Sequence, residues 1–161
     1  MQLFMKQKMF SFKQDFDIYD INQNPIYHVD SKLLSFGRQM EILDGQTGQS
    51  LCLVKQKVFS WTPTMEVYDG SGLFCRIRKQ ITFFKPRYSV EGPNWQVDGS
   101  IWQHNYQLTD QSGAVIADIQ KKYLSWSDTF MITIHDETID PVPVVATILA
   151  IDMAMDQAES N

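Results

Sequence analysis

The chain is poor in most features that mark a catalytic or secreted protein. Two cysteines in 161 residues, Cys52 and Cys75, are too few for a disulfide framework. The opening stretch MQLFMKQKMFSF lacks the continuous apolar run of a signal peptide. A reduced, cytoplasmic protein is expected, with a peripheral position at a membrane as the variant. GxSxG, HExxH, CxxC, P-loop and GxGxxG motifs are all missing, and the GSG at 70–72 reads as a hairpin turn. The three histidines, His28, His104 and His135, have no metal-ligand spacing. His135 alternates out of phase with Phe130, Ile132 and Ile134, which points it to solvent. These absences predict a protein that is not an enzyme and carries no cofactor or metal. The net charge of −5 argues against a nucleic-acid partner.

What the sequence does have is one repeated phrase. FDIYDINQNPIYHV (16–29), MEILDGQTGQSLCLV (40–54), MEVYDGSGLFCRI (65–77) and YQLTDQSGAVIADI (106–119) share it. Apolar residues alternate, Asp follows, a few turn residues intervene, and the alternation resumes. Alternation makes a half-buried strand, and Asp with Gly or Asn supplies the geometry of a tight turn, so each phrase predicts a β-hairpin. MITIHDETID (131–140) starts the same phrase, then meets Pro141 and Pro143 and does not return as a strand. The interval from Gly48 to Ser60-Trp61 is repeated from Gly113 to Ser125-Trp126, with Lys57 matching Lys122. With KMFSF near the start, the count is roughly ten to twelve strands in an antiparallel meander. One domain, 1–161, is expected.

Charge is uneven along this meander. Residues 51–90 hold seven basic residues (Lys55, Lys57, Arg76, Arg78, Lys79, Lys85 and Arg87) against two acidic ones. Residues 91–161 hold two basic residues against eleven acidic ones. The basic middle reads either as a footprint for an anionic partner or as solvated strand faces. Alternation puts Lys55 and Lys57 on one face, with Cys52, Val54 and Val58 on the other. It likewise puts Arg76 and Arg78 opposite Cys75 and Ile77. Both thiols are then expected inside, as small buried hydrophobes.

The segment DPVPVVATILAIDMAMDQ (140–157) breaks the pattern. Asp140 suits an N-cap, Pro141 the first helical position, and Pro143 still lies within the first turn. Glu137 and Asp140 read as capping groups rather than as catalytic acids. From Val142 to Met155 the helix is apolar on every side, which a surface helix is not. Those residues span about 21 Å, short of the roughly 20 apolar residues that a bilayer needs. A barrel of eleven or so strands can enclose such a helix. The expected fold is mainly β: a closed antiparallel barrel of about twelve strands around a hydrophobic C-terminal helix. Asp152 and Asp156, at i and i+4, would mark where the helix reaches water or form a small ion site there.

This architecture and its text resemble the LURP-one-related members of the tubby-like superfamily. The resemblance rests on KMFSFKQDFDIYDINQNPIYHVDSKLLSFG, on SW used twice after a basic strand, and on the terminal helix, and it covers essentially the whole chain. Some relatives are phospholipid scramblases. LVKQKVFSWTPTMEVYDG (53–70) is similar to the tubby stretch that binds phosphoinositide headgroups. There Lys55 and Lys57 fall on the two basic positions, and Val67, Tyr68 and Asp69 on the strand end. Pro63 replaces a tubby glycine, and the tubby C-terminal signature is absent. The resemblance implies a headgroup site at Lys55, Lys57, Arg76, Arg78 and Lys79, in a binding or regulatory module contacting anionic phospholipid. A second expectation is a soluble protein-interaction scaffold using Trp61 and Trp126, residues that would equally suit packing at the barrel end. Scramblase activity ranks last.

Overall fold

The computed structural model describes residues 1–6, 14–123 and 128–160. Twelve strands are followed by one helix: β1 (Gln2–Lys6), β2 (Phe16–Tyr19), β3 (Pro25–Leu34), β4 (Gly37–Asp44), β5 (Ser50–Gln56), β6 (Thr64–Asp69), β7 (Gly72–Gln80), β8 (Arg87–Glu91), β9 (Trp95–Ser100), β10 (Asn105–Thr109), β11 (Val115–Tyr123), β12 (Asp128–Ile134) and α1 (Pro141–Ser160). Each strand pairs antiparallel with the next, and β1 pairs with both β12 and β2. The meander is thereby a closed barrel. Closure gives each described strand a partner on both sides, where an open edge would recruit other chains.

The four hairpin phrases become β2–β3, β4–β5, β6–β7 and β10–β11, and the fifth leads from β12 into α1. In each, the Asp side chain caps its own turn. Asp44 Oδ1 accepts from the backbone N–H of Gln46 at 2.9 Å and of Thr47 at 2.7 Å. Asp20, Asp69, Asp110 and Asp136 each accept from the N–H two residues on. These bonds, with those from neighbouring Asn, Ser and Thr side chains, lower the pKa of all five carboxyls. Gly92, in the turn between β8 and β9, has φ +116, and a Cβ there would sit 2.5 Å from the Phe74 carbonyl oxygen. That hairpin therefore depends on glycine rather than on Asp.

Alternation fills the barrel. Leu3, Met5, Ile18, Val29, Met40, Ile42, Val54, Met65, Val67, Ile77, Ile119 and Ile132 point inward at 0% exposure, and the helix residues Val144 to Ala154 are buried against them. Burying a single such Val, Leu or Ile contributes about 1.5–3 kcal/mol. Asp140 Oδ1 accepts from the Val142 N–H at 3.0 Å, so it is the N-cap. Cys52 and Cys75 are 3% and 1% exposed. The Cys52 thiol donates to the Tyr68 carbonyl at 2.9 Å, and Cys75 Sγ lies 3.5 Å from Thr147 Oγ1 on the helix.

Four expectations change. KMFSF lies outside the described residues, and the opening strand is Gln2–Lys6. Val58 is exposed rather than inward, because β5 ends at Gln56. The helix has 20 residues rather than fourteen, long and apolar enough to cross a bilayer by length and composition. What sets it apart from a spanning helix is its position, with 78% of Pro141–Ala158 buried inside the protein. Asp152 does not mark an exit to water. It is 1% exposed, because Tyr106 and His104 supply polar neighbours within the barrel.

Candidate binding surface at one mouth of the barrel

Because consecutive strands run in opposite directions, their connections alternate between two mouths. Connections 20–24, 45–49, 70–71, 92–94, 110–114 and 135–140 form the turn mouth. It contains the five capping aspartates with Glu137 and Asp140, and no lysine or arginine. Connections 35–36, 57–63, 81–86 and 101–104 lie at the other end, the loop mouth, where the helix C-terminus also arrives. Arg38, at the start of β4, ion-pairs there with Asp156 and ties the helix end to the wall.

The loop mouth is basic and apolar. Lys57 and Lys85 are in its connections, and Lys79 and Arg87 are on the strand ends beside them. Among the described residues none of these four has an ion-pair partner. Phe59, Trp61, Ile81, Phe83 and Phe84 project from the 57–63 and 81–86 connections, with exposures from 91% for Ile81 to 104% for Trp61. Leu33, Phe36 and Trp102 are exposed at the same end. Thr62 and Pro63, Lys79 to Thr82, Phe84 to Pro86, and Trp102 line one cleft of about 390 Å³, so three connections meet around it. Gly37 has φ +114, and a Cβ there would meet Val58 Cγ2 at 2.8 Å, so the β3–β4 hairpin abuts the 57–63 connection. A second cleft of about 540 Å³ opens between β8 and β9, bounded by Lys85, Arg87 and Asp98. These strands share two register pairs, Ser89↔Gln96 and Val90↔Trp95, and separate towards the loop mouth.

The five sequence-derived basic residues do not form one face. Arg76 and Arg78 do point outward from the wall, opposite the buried Cys75 and Ile77. Lys79 alternates to the other face, at the barrel end, opposite Tyr88 in the register. Glu66 stands in register between Lys55 and Arg76. Arg76 donates to Glu66 at 2.8 and 3.3 Å, and this carboxylate raises the arginine's pKa. Arg78 approaches Glu91 at 3.9 Å. The Lys55 ammonium lies 5.5 Å from the centre of the Tyr68 ring. Lys57 is past the end of β5, its backbone N–H still donating to the Thr64 carbonyl at 2.9 Å. The wall cations are thus largely satisfied by the wall itself, whereas the mouth cations are open. Sequence reading passed over Lys85 and Arg87 as site residues, and Phe83 and Phe84 beside them. The available signal was ITFFKP, an apolar run where a connection is ordinarily polar. Trp126 lies outside the described residues.

Each histidine has an aspartate beside it, at three separate places. His28 Nδ1 is 2.7 Å from Asp17, His135 Nε2 is 2.5 Å from Asp118, and His104 Nδ1 is 3.5 Å from Asp152. His135 is exposed, in line with its alternation. Among the described residues no group of three or more His, Cys, Asp or Glu could hold a metal. Burial pushes the Cys52 thiol up to about 12 and the Cys75 thiol up to about 11, which keeps both protonated and unreactive at neutral pH.

A twelve-stranded closed barrel threaded by its own terminal helix is the tubby-like fold. The LURP-one-related family model matches residues 1–152, and the chain belongs to that family. It is 36% identical over 160 residues to the uncharacterized protein YxjI of Bacillus subtilis (strain 168), covering 99% of this chain and 98% of that one. A protein from Arabidopsis thaliana with an X-ray structure superposes with a TM-score of 0.65 at 16% identity, over 94% of this chain and 89% of the other. That second likeness concerns the fold alone.

Proposed function

We propose that this chain is a non-catalytic binding module that contacts anionic phospholipid headgroups. The observation that carries this reading is the separation of charge between the two mouths. Lys57, Lys79, Lys85 and Arg87 stand open at one, and the capping aspartates stand at the other. Such a molecule approaches a negative surface with its loop mouth first. Each cation near that surface adds about 1 kcal/mol, reduced by salt. Lys55 and Arg78 extend the positive field along the wall. Arg76 contributes least, because Glu66 already neutralises it.

Flotation with vesicles tests the reading. The protein is expected to float with phosphatidylserine-containing vesicles and not with pure phosphatidylcholine, and to be released by salt. The Lys57→Glu/Lys85→Glu double variant is expected to stay behind. Equal recovery with neutral and anionic vesicles at low salt would refute the reading and leave the protein-scaffold alternative, for which the exposed Trp61 is the main support.

A further inference from the structure

The apolar tips of the loop mouth are not explained by headgroup contact. Phe59 and Trp61 on one connection, and Ile81, Phe83 and Phe84 on the next, are held almost wholly in water. Large apolar side chains gathered at one place on a surface mark an interaction site. Here they share that place with four cations, Lys57, Lys79, Lys85 and Arg87, that have no ion-pair partner among the described residues. We infer that the 57–63 and 81–86 connections are a paired insertion device, whose apolar tips enter the interfacial zone of an anionic bilayer. Lys57, Lys79, Lys85 and Arg87 then lie at the level of the phosphates. This rests on the headgroup reading above and adds how the protein sits, end-on by its mouth rather than flat by its wall.

Three observations favour a bilayer as the occupant. First, the charge is complementary: Lys57 and Lys85 are on the same two connections as the tips, Lys79 and Arg87 are on the strand ends beside them, and the aspartate-bearing mouth is at the far end of the barrel. Second, the tips stand on two connections separated by an open cleft of about 390 Å³. A rigid partner must match that broken outline, whereas fluid lipid fills it. Third, the chemistry is the interfacial one. Aromatic rings with lysine stems beside them place carbon in the acyl boundary and ammonium groups in the headgroup layer. The helix is not available for this task, because it lies within the barrel. Insertion therefore falls to the connections.

The test uses the full chain and vesicles of phosphatidylserine in phosphatidylcholine, with and without bromine on the acyl chains. Brominated chains are expected to quench a tryptophan emission component that Trp61→Phe removes. Phe83→Ser/Phe84→Ser is expected to bind these vesicles at least about tenfold more weakly in physiological salt. Its thermal midpoint and near-ultraviolet circular dichroism should match the wild type, since both rings are exposed. If this variant binds as tightly as the wild type and bromine quenches nothing, while Lys57→Glu/Lys85→Glu abolishes binding, insertion is refuted and the headgroup reading stands. If the wild type binds neither vesicle, both fall. If vesicles are not bound and the serine variant instead loses self-association in sedimentation, the tips cover a second copy of the chain, and the inference is equally overturned.

Discussion

Asp152 of the helix and Tyr106 of β10 meet inside the barrel, where the phenol donates to carboxylate Oδ1 at 3.4 Å. His104 Nδ1 approaches the same oxygen at 3.5 Å, and the His104 ring packs edge-on against Phe130, 4.7 Å between centres. Asp152 Oδ2 is buried with no hydrogen-bond partner among the described residues. Asp152 thus brings a carboxyl group into a largely apolar interior, with one of its two oxygens unpartnered among the described residues. Burial raises its pKa, opposed in part by His104 and Tyr106. The Tyr106 hydroxyl is pushed up as well, by burial first and by Asp152 next.

The sign of the resulting pH effect follows from linkage. A carboxyl whose pKa is higher in the folded state stabilises the fold most below its unfolded pKa of 3.8, and that contribution is lost as pH rises through the folded value. The buried Asp152 carboxyl therefore costs the fold stability as pH rises from acid towards neutral. Asp152→Asn keeps the shape and an acceptor for Tyr106, and is expected to raise the urea midpoint at pH 7 and to lose that advantage near pH 4. A lower midpoint at pH 7 would mean that the carboxylate is net favourable beside His104.

The turn aspartates run the opposite way. Asp20, Asp44, Asp69, Asp110 and Asp136 have folded pKa values below 3.8, so their contribution is present above 3.8 and lost as pH falls through the folded values. With five such groups against one Asp152, the thermal midpoint is expected to fall as the protein is acidified below about pH 4. Asp44→Asn together with Asp110→Asn should flatten that fall. An unchanged acid limb would show that the turn bonds are matched in the unfolded chain.

Ile148 is wholly buried at the middle of the helix. Ile148→Asp is expected to unfold the protein, read as loss of near-ultraviolet circular dichroism, because it puts a carboxylate into the hydrophobic core. Ile148→Val should cost about 0.5–1.5 kcal/mol by urea denaturation, with the fold kept. A folded, soluble Ile148→Asp protein would mean that the helix is not inside.

Cys52 and Cys75 should be silent towards thiol reagents in the native protein at neutral pH. Both are buried, with thiols pushed up to about 12 and about 11. Labelling in urea should then be complete and should follow the unfolding curve. Rapid native labelling would reveal an opening of the wall at β5 or β7.

The barrel was legible because its signal is local and repeated. Alternation with an Asp turn survives in four hairpins, and the all-round apolar helix has no other place to go. Helix length was harder to read, since Asp152 looks like an exit to water until Tyr106 and His104 are seen beside it. The candidate site was only half legible. The family resemblance grouped Lys55 and Arg76 in one headgroup site, but it does not show that Glu66 falls between them, because that depends on the β5–β6–β7 register. It likewise does not show that the 57–63 and 81–86 connections share one mouth, which follows from counting strand reversals around a closed barrel.

β1 completes the wall by pairing with β12, and the Met1 ammonium donates to the Ile134 carbonyl at 3.0 Å. The earliest strand in the chain therefore waits for the latest, and the ring has to be shut around a helix that follows both. Such long-range closure belongs to the slow, millisecond-to-second class of folding. It also makes a ribosome-bound fragment ending before residue 128 a sheet with two open edges and an unfilled centre. Until the helix emerges, the nascent chain exposes the inner face that the finished protein hides, and exposed apolar surface of that kind is prone to aggregate.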